Sequence, residues 1–349
     1  MNDSQGIVPP SAPLDGLGGL GGHDGNASPS PPPAALANSP RTTSRLREYG
    51  IPLLLLLISI ITTTAIGARF MQNFLDGMPT VAHEGDLWPW PWLFAYPSRF
   101  LLGWPFSLSL LFILLAHEFG HYFACRYHRI RATLPWVLPA PTLSGTAGAV
   151  ILIRSRIPTR RALMDVGAYG PIAGYIAALI VSVIGFCRSH TVPAKPSHAI
   201  IQFGQPLTLQ AIHRVLSLFR PATPAFDAAV RHPVLIAGWV GLFVTALNLI
   251  PAGQLDGGHI LYALSPHLHK WFNRILPVAL FACGFFYWVG WVLWALLLLI
   301  PAMRHPRVPA GQSLDRKRIF LSVICLAIFL LTFAVEPFLN SSIHHYFHL

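Results

Sequence analysis

The chain has 349 residues, of which 53% are hydrophobic and 11% charged. A soluble domain carries about a quarter charged residues, so a water-soluble globule and wholesale disorder are both excluded and a polytopic membrane protein remains. The formal charge is +11, from 24 Lys and Arg against 13 Asp and Glu; because the cations lie between apolar runs, they read as membrane orientation rather than as a nucleic-acid surface.

Residues 1–47 are rich in Pro, Gly and Ser, with the run Ser30-Pro31-Pro32-Pro33 and no apolar period. They are expected to form a disordered tail ahead of an integral membrane domain over 48–349. The first apolar run, 51–66 with an extension to Phe70, is long enough to span a bilayer. Trp88, Trp90 and Trp92 alternate with prolines after it, a composition typical of the membrane interface. Further apolar runs cover 100–125, 166–187, 234–250, 275–303 and 319–335. The fifth of these six runs has 29 residues, about 43 Å as one helix, which is long for one crossing. A hairpin of two short helices breaking near Gly290 keeps the following cations, Arg304, Arg307, Arg316, Lys317 and Arg318, on one side.

The expected fold is therefore all-α and polytopic, with about six to seven membrane helices. One loop departs from that pattern. Residues 132–157 contain Pro135, Pro139, Pro141, Gly145 and Gly148 and then the β-prone Val150-Ile151-Leu152-Ile153, which predicts a short β segment at the membrane surface. In the polar stretch 188–233, residues 207–219 form an amphipathic piece suited to the membrane plane. Arg41, Arg45 and Arg47 precede the first helix, and seven arginines between Arg126 and Arg161 follow the second. Charge and parity together place both segments in the cytoplasm.

The chemistry starts at His117-Glu118-Phe119-Gly120-His121, an H-E-x-x-H motif inside the second apolar run. On a helix, four-residue spacing puts His117 and His121 on one face, one turn apart. Two neutral imidazoles then reach one zinc ion, with Glu118 placed to take a proton from water. The plain alternative is a polar cluster closing a helix, but three ionisable groups in an apolar segment are costly without a function. A zinc hydrolase needs a further protein ligand. The best candidate is Asp256 in Leu255-Asp256-Gly257-Gly258, after the helix-breaking Pro251 and Gly253. A helix cap is the competing reading for this residue.

His117-Glu118-Phe119-Gly120-His121 together with Asn248-Leu249-Ile250-Pro251 and Leu255-Asp256-Gly257-Gly258 resembles the site-2 protease family of intramembrane zinc metalloproteases. Gly170-Pro171-Ile172-Ala173-Gly174 resembles a stretch of that family's middle core helix. The resemblance covers about 100–264 and is nearest to the branch without a PDZ domain. It implies a three-helix catalytic core over 100–264, one zinc per chain held by His117, His121 and Asp256, and Glu118 as general base and proton donor. It also implies a polar role beside the site for Asn248, either toward substrate or oxyanion or in satisfying backbone freed before Pro251.

The implied reaction is cleavage of the transmembrane segments of membrane proteins, with the bilayer as the second partner and no nucleic acid. The different-class alternative is a membrane metal-ion transporter. Against it, the membrane segments carry few acids, Glu118, Asp165 and Asp256, and no repeat is visible. His259, three residues past Asp256, is read as local polar packing. The acids Asp3, Asp15 and Asp24 in the tail do not suit a transit peptide, so a prokaryotic inner membrane, with the site toward the cytoplasm, is the expected location.

Overall fold

A computed structural model describes residues 46–191, 199–227, 230–303, 305–309 and 313–347. The expected tail lies outside the described residues as far as 45, as do Arg41, Arg45 and Arg304. Helical backbone begins with a π-turn at Leu46–Gly50, two residues inside the boundary expected for the tail. Helix α1 (Ile51–Leu75) follows, then the short α2 (Trp90–Ala95) and α3 (Trp104–Tyr127). Strands β1 (Trp136–Pro139) and β2 (Thr146–Val150) come next. The remaining helices are α4 (Arg160–Arg188), α5 (Leu207–Phe219), α6 (Pro233–Asn248), α7 (Asp256–Leu264), α8 (Pro266–Phe286), α9 (Gly290–Leu299), α10 (Arg316–Thr332) and α11 (Ile343–Phe347).

Among the described residues, three helical stretches are long and apolar enough to cross a membrane: Glu48–Leu75, Pro97–Tyr127 and Arg160–Arg188. This is fewer than the six to seven expected, and local chain chemistry explains the difference. Helix α6 has 16 residues, about 24 Å. It ends at Asn248 because Pro251 disfavours helical backbone at the residue before it. The run 275–303 is split between α8 and α9, as its length requires, but α8 starts earlier, at Pro266, where Ser265 caps it by accepting from the Leu268 amide. Helix α4 also starts ahead of its apolar run, because Thr159 caps it by accepting from the Ala162 amide.

The core lies where α1, α3, α4 and α6 meet. Phe70, Phe106, Leu110, Ile113, Ala178, Val181, Leu235 and Trp239 pack there, with Phe70 and Phe106 edge to face at 5.3 Å. The strands form an antiparallel hairpin pairing Trp136 with Val150, Val137 with Ala149 and Leu138 with Gly148. Less regular pairing runs on: the Thr133 amide donates to Leu152 O at 3.0 Å and the Arg154 amide to Arg131 O at 2.7 Å. Both strands fall inside the 132–157 loop for which a short β segment is expected, and β2 ends at the first of its β-prone residues, Val150. Gly145, at φ +78°, makes the turn, and α1 fixes it. Thr62 Oγ1 donates to Gly145 O at 2.7 Å and Ser59 Oγ to Val137 O at 3.1 Å. The β-branched Ile151 and Ile153 instead pack against a cluster with Ala124, Cys125 and Ile130.

The link between α1 and α3 is tied by one buried carboxylate. Asp86 accepts from Arg69 Nε at 2.6 Å, Asn73 Nδ2 at 2.8 Å, and the amides of Ala82 at 2.8 Å and His83 at 3.0 Å. Burial pushes its pKa up, but the His83, Arg69, Asn73 and Ala82 donors outweigh that and hold it below the ordinary 3.8. A depressed folded pKa stabilises the protein above pH 3.8, and that contribution fades as pH falls through the lower folded value. Asp86→Asn is expected to destabilise by about 2 kcal/mol, the scale of a charge-assisted hydrogen bond. Thermal unfolding at pH 7 checks this, and the gap between variant and wild type should narrow only at strongly acidic pH.

Candidate active site

Helix α3 carries His117, Glu118 and His121, which are 4%, 5% and 6% exposed. Their ligand-type atoms lie within 4.8 Å of one another. Helix α7 brings the fourth group. Asp256 Oδ2 is 3.2 Å from His117 Nε2 and 3.4 Å from His121 Nε2, and the two ring nitrogens are 3.0 Å apart. Asp256 does not cap α7: Leu255 occupies the cap position, with no side-chain cap bond, and Asp256 is the first helical residue.

These separations suit a tetrahedral zinc ion, whose ligands at about 2.1 Å stand about 3.4 Å apart. The orientation of one ring fits as well. His121 Nδ1–H donates to Val166 O at 2.6 Å, which leaves Nε2 as the lone-pair nitrogen facing Asp256 and His117. Asn248, the last residue of α6, puts Nδ2 3.3 Å from His117 Nε2. All the residues singled out from the sequence therefore reach one cavity, of about 230 Å³.

The close approach of α3 and α4 depends on two glycines. His117 and His121 are one turn apart on α3, and Gly174 and Gly170 are one turn apart on α4. A Cβ on Gly170 would collide with the His121 ring, and one on Gly174 would meet His117 Nδ1 at 2.9 Å. Each ring thus occupies the space that a larger residue would fill. The i,i+4 spacing of both pairs was readable from the sequence; their mutual facing was not.

Three contributors to the site carry no motif. Ile151 lines the cavity together with Glu118. Gln254 lines the cavity and donates from Nε2 to Ala302 O at 2.6 Å. His305 reaches back from the segment before α10 to His259, Nε2 to Nδ1 at 2.8 Å, and stacks on Tyr262 at 4.1 Å. His259 is packed as expected, but it also lines the cavity wall. A single sequence holds no signal for such contacts, because they join segments far apart in the chain.

The pattern of peptidase family M50 matches residues 105–290, which contain every one of the motif residues. The chain belongs to peptidase family M50. It is 31% identical, over 61% of its own length and 39% of the relative's, to the probable zinc metalloprotease EGY1, chloroplastic, of Arabidopsis thaliana. It is 28% identical, over 76% of its length and 47% of the relative's, to the probable zinc metalloprotease EGY2, chloroplastic, of the same plant. The rice EGY1 counterpart from Oryza sativa subsp. japonica is 34% identical over 45% of this chain and 27% of the relative. The chain thus spans less than half the length of these M50 relatives. No solved structure matches it. The family supports a membrane protein, and three of its helices are apolar enough for one. The expected prokaryotic inner membrane finds no support, because the relatives are named as chloroplastic.

The glycine pocket gives a direct test. Gly170→Ala is expected to displace the His121 ring, with overpacking of about 1–3 kcal/mol, and to lower zinc retained by the purified protein. Thermal unfolding and metal content measured together check this. Undiminished zinc retention would contradict the packing role assigned to Gly170.

Proposed function

We propose that this M50 protein is an intramembrane zinc endopeptidase that cuts the transmembrane segments of other membrane proteins. The observation that carries the reading is the meeting of two motifs 139 residues apart: His117 and Asp256 lie at 3.2 Å, beside a buried carboxylate, in a bundle of apolar helices. His117, His121 and Asp256 hold the metal. Zinc bound there supplies Lewis acidity and lowers the pKa of water toward neutrality.

Glu118 accepts the proton of the attacking water and returns it to the leaving amide nitrogen. Asn248 is placed beside His117 and offers an N–H to negative charge developing on the scissile carbonyl oxygen. A substrate helix has its carbonyls already bonded, so it must unwind before it is cut. Strand β2 has one edge facing β1, and its residues Ala149 and Val150 line the catalytic cavity, so the unwound segment adds to it as a further strand. Water enters from the side of the arginine-rich loop, which the positive-inside rule assigns to the cytoplasmic face or its equivalent.

The metal-transport alternative has less support. A conduction path needs successive sites, whereas among the described residues the donor groups form one cluster. Asp165, the other buried acid near it, is held by Arg318 and by His128 Nε2 at 2.7 Å.

Wild-type protein should cleave a transmembrane test substrate and carry about one zinc per chain. Glu118→Gln should keep the zinc and lose about a hundredfold to ten-thousandfold in rate. Asp256→Ala should lose zinc and activity together. Equal cleavage by wild type and Glu118→Gln would overturn the mechanism.

A further inference from the structure

Next to the catalytic cavity lies a larger groove, of about 1010 Å³. The two share Ile151, Ile153, Gln254 and His259 in their walls, so they lie side by side. The chain that leaves β2 forms one side of both. Ala149 and Val150 line the catalytic cavity, and Arg154 and Arg156 line the groove. Arg307 comes to the same groove from the segment before α10.

These three arginines are exposed and carry no ion pair among the described residues. No Asp or Glu lines the groove. Asp165 and Asp315 are already engaged. Arg318 holds Asp165, with Nε to Oδ1 at 2.9 Å, and Asp315, with Nη1 to Oδ2 at 2.8 Å. The positive-inside rule explains arginines on this face of a membrane protein. It does not explain why cations from two distant segments converge on the groove beside the catalytic cavity without a counter-charge.

We propose that this groove selects substrates by acidic residues in the segment that emerges from the membrane next to the scissile bond. The inference rests on the protease reading above. It adds a register, because residues pair one to one along an added strand. Ile151 lines the same cavity as Glu118, so the register is counted from Ile151. The hairpin remains paired as far as Arg154. A substrate residue opposite Arg154 is therefore three positions from the one opposite Ile151, about 10 Å at the rise of a strand. Arg156 lies two positions further, and Arg307 faces the same space from the other wall. The favoured substrate carries Asp or Glu about three to five residues from the scissile bond, on the side that leaves the membrane.

The test uses the full chain, in vesicles of uncharged lipid, and three substrates with one transmembrane segment. They carry paired Asp, Gln or Lys at the third and fifth positions on the emergent side of a cut site located by mass spectrometry. Wild type should prefer Asp over Gln over Lys, with Asp and Lys separated by about three- to tenfold in kcat/KM, carried mainly by KM. The preference should shrink as salt is raised. The triple variant Arg154→Glu, Arg156→Glu, Arg307→Glu should reverse the order. A variant that merely misfolds loses all three substrates and cannot gain on the Lys substrate, so thermal unfolding and zinc content are read alongside it.

Equal cleavage of all three by wild type, or an order unchanged in a folded triple variant, would overturn the proposal and leave the protease reading standing. So would an effect that appears only with anionic lipid and is equal for every substrate, which would make the groove a lipid-binding surface. Cleavage of none by wild type would remove the protease reading and this inference with it.

Discussion

The structure depends on the contact between α3 and α4, where two histidines one turn apart face two glycines one turn apart. A helix pair meets closely when small residues on one side leave room for large ones on the other. Here the large residues are imidazoles, so the packing contact and the candidate metal site are the same feature. The ring of His121 is seated by Gly170 and oriented by the Val166 carbonyl, and both come from α4. The remaining requirement is a carboxylate. It is met because α6 stops at Asn248 and the chain turns through Pro251 and Gly253 before Asp256 starts α7. The helix break is thus part of the site's construction.

Burial of charge follows a consistent pattern. Three acids are buried among the described residues: Asp86, Glu118 and Asp165. An unpartnered charge in a low-dielectric interior is costly, and two of the three are fully occupied by structural partners. Asp86 is ringed by Arg69, Asn73 and backbone amides, and Asp165 joins α4 to Arg318 of α10 and to His128 at the end of α3. Glu118 differs. Its side chain shares a cavity with the imidazoles of His117 and His121 and the Asp256 carboxylate, which is an arrangement suited to proton transfer rather than to bracing the bundle.

The metal-ligating candidates were legible because their chemistry is local: H-E-x-x-H fixes a helical face, and Pro251 with Gly253 marks a break before Asp256. The amphipathic helix was legible to the residue, with α5 at Leu207–Phe219, because its apolar period starts just after a proline. The hairpin lies inside the loop that its Pro, Gly and β-prone residues mark, but its strand bounds are not readable there. β-Propensity points to 150–153, whereas the strand is set by the turn at Gly145 and by Ser59 and Thr62 of α1, which are tertiary contacts. Among the described residues fewer helices reach spanning length than the apolar runs suggest, because apolar composition marks what is buried, in lipid or in protein, and not helix length. Ile151, Gln254 and His305 were illegible for the same reason: each enters the site through a partner far away in sequence.

The central claim is that His117, His121 and Asp256 form one metal centre. X-ray absorption at the zinc edge of the zinc-loaded protein tests it most directly. The expected spectrum is a shell of nitrogen and oxygen only, with the outer-shell scattering of two imidazoles, and Asp256→Ala should retain too little zinc to give it. A sulfur ligand, a third imidazole, or an Asp256→Ala protein that keeps its zinc with the same spectrum would contradict it.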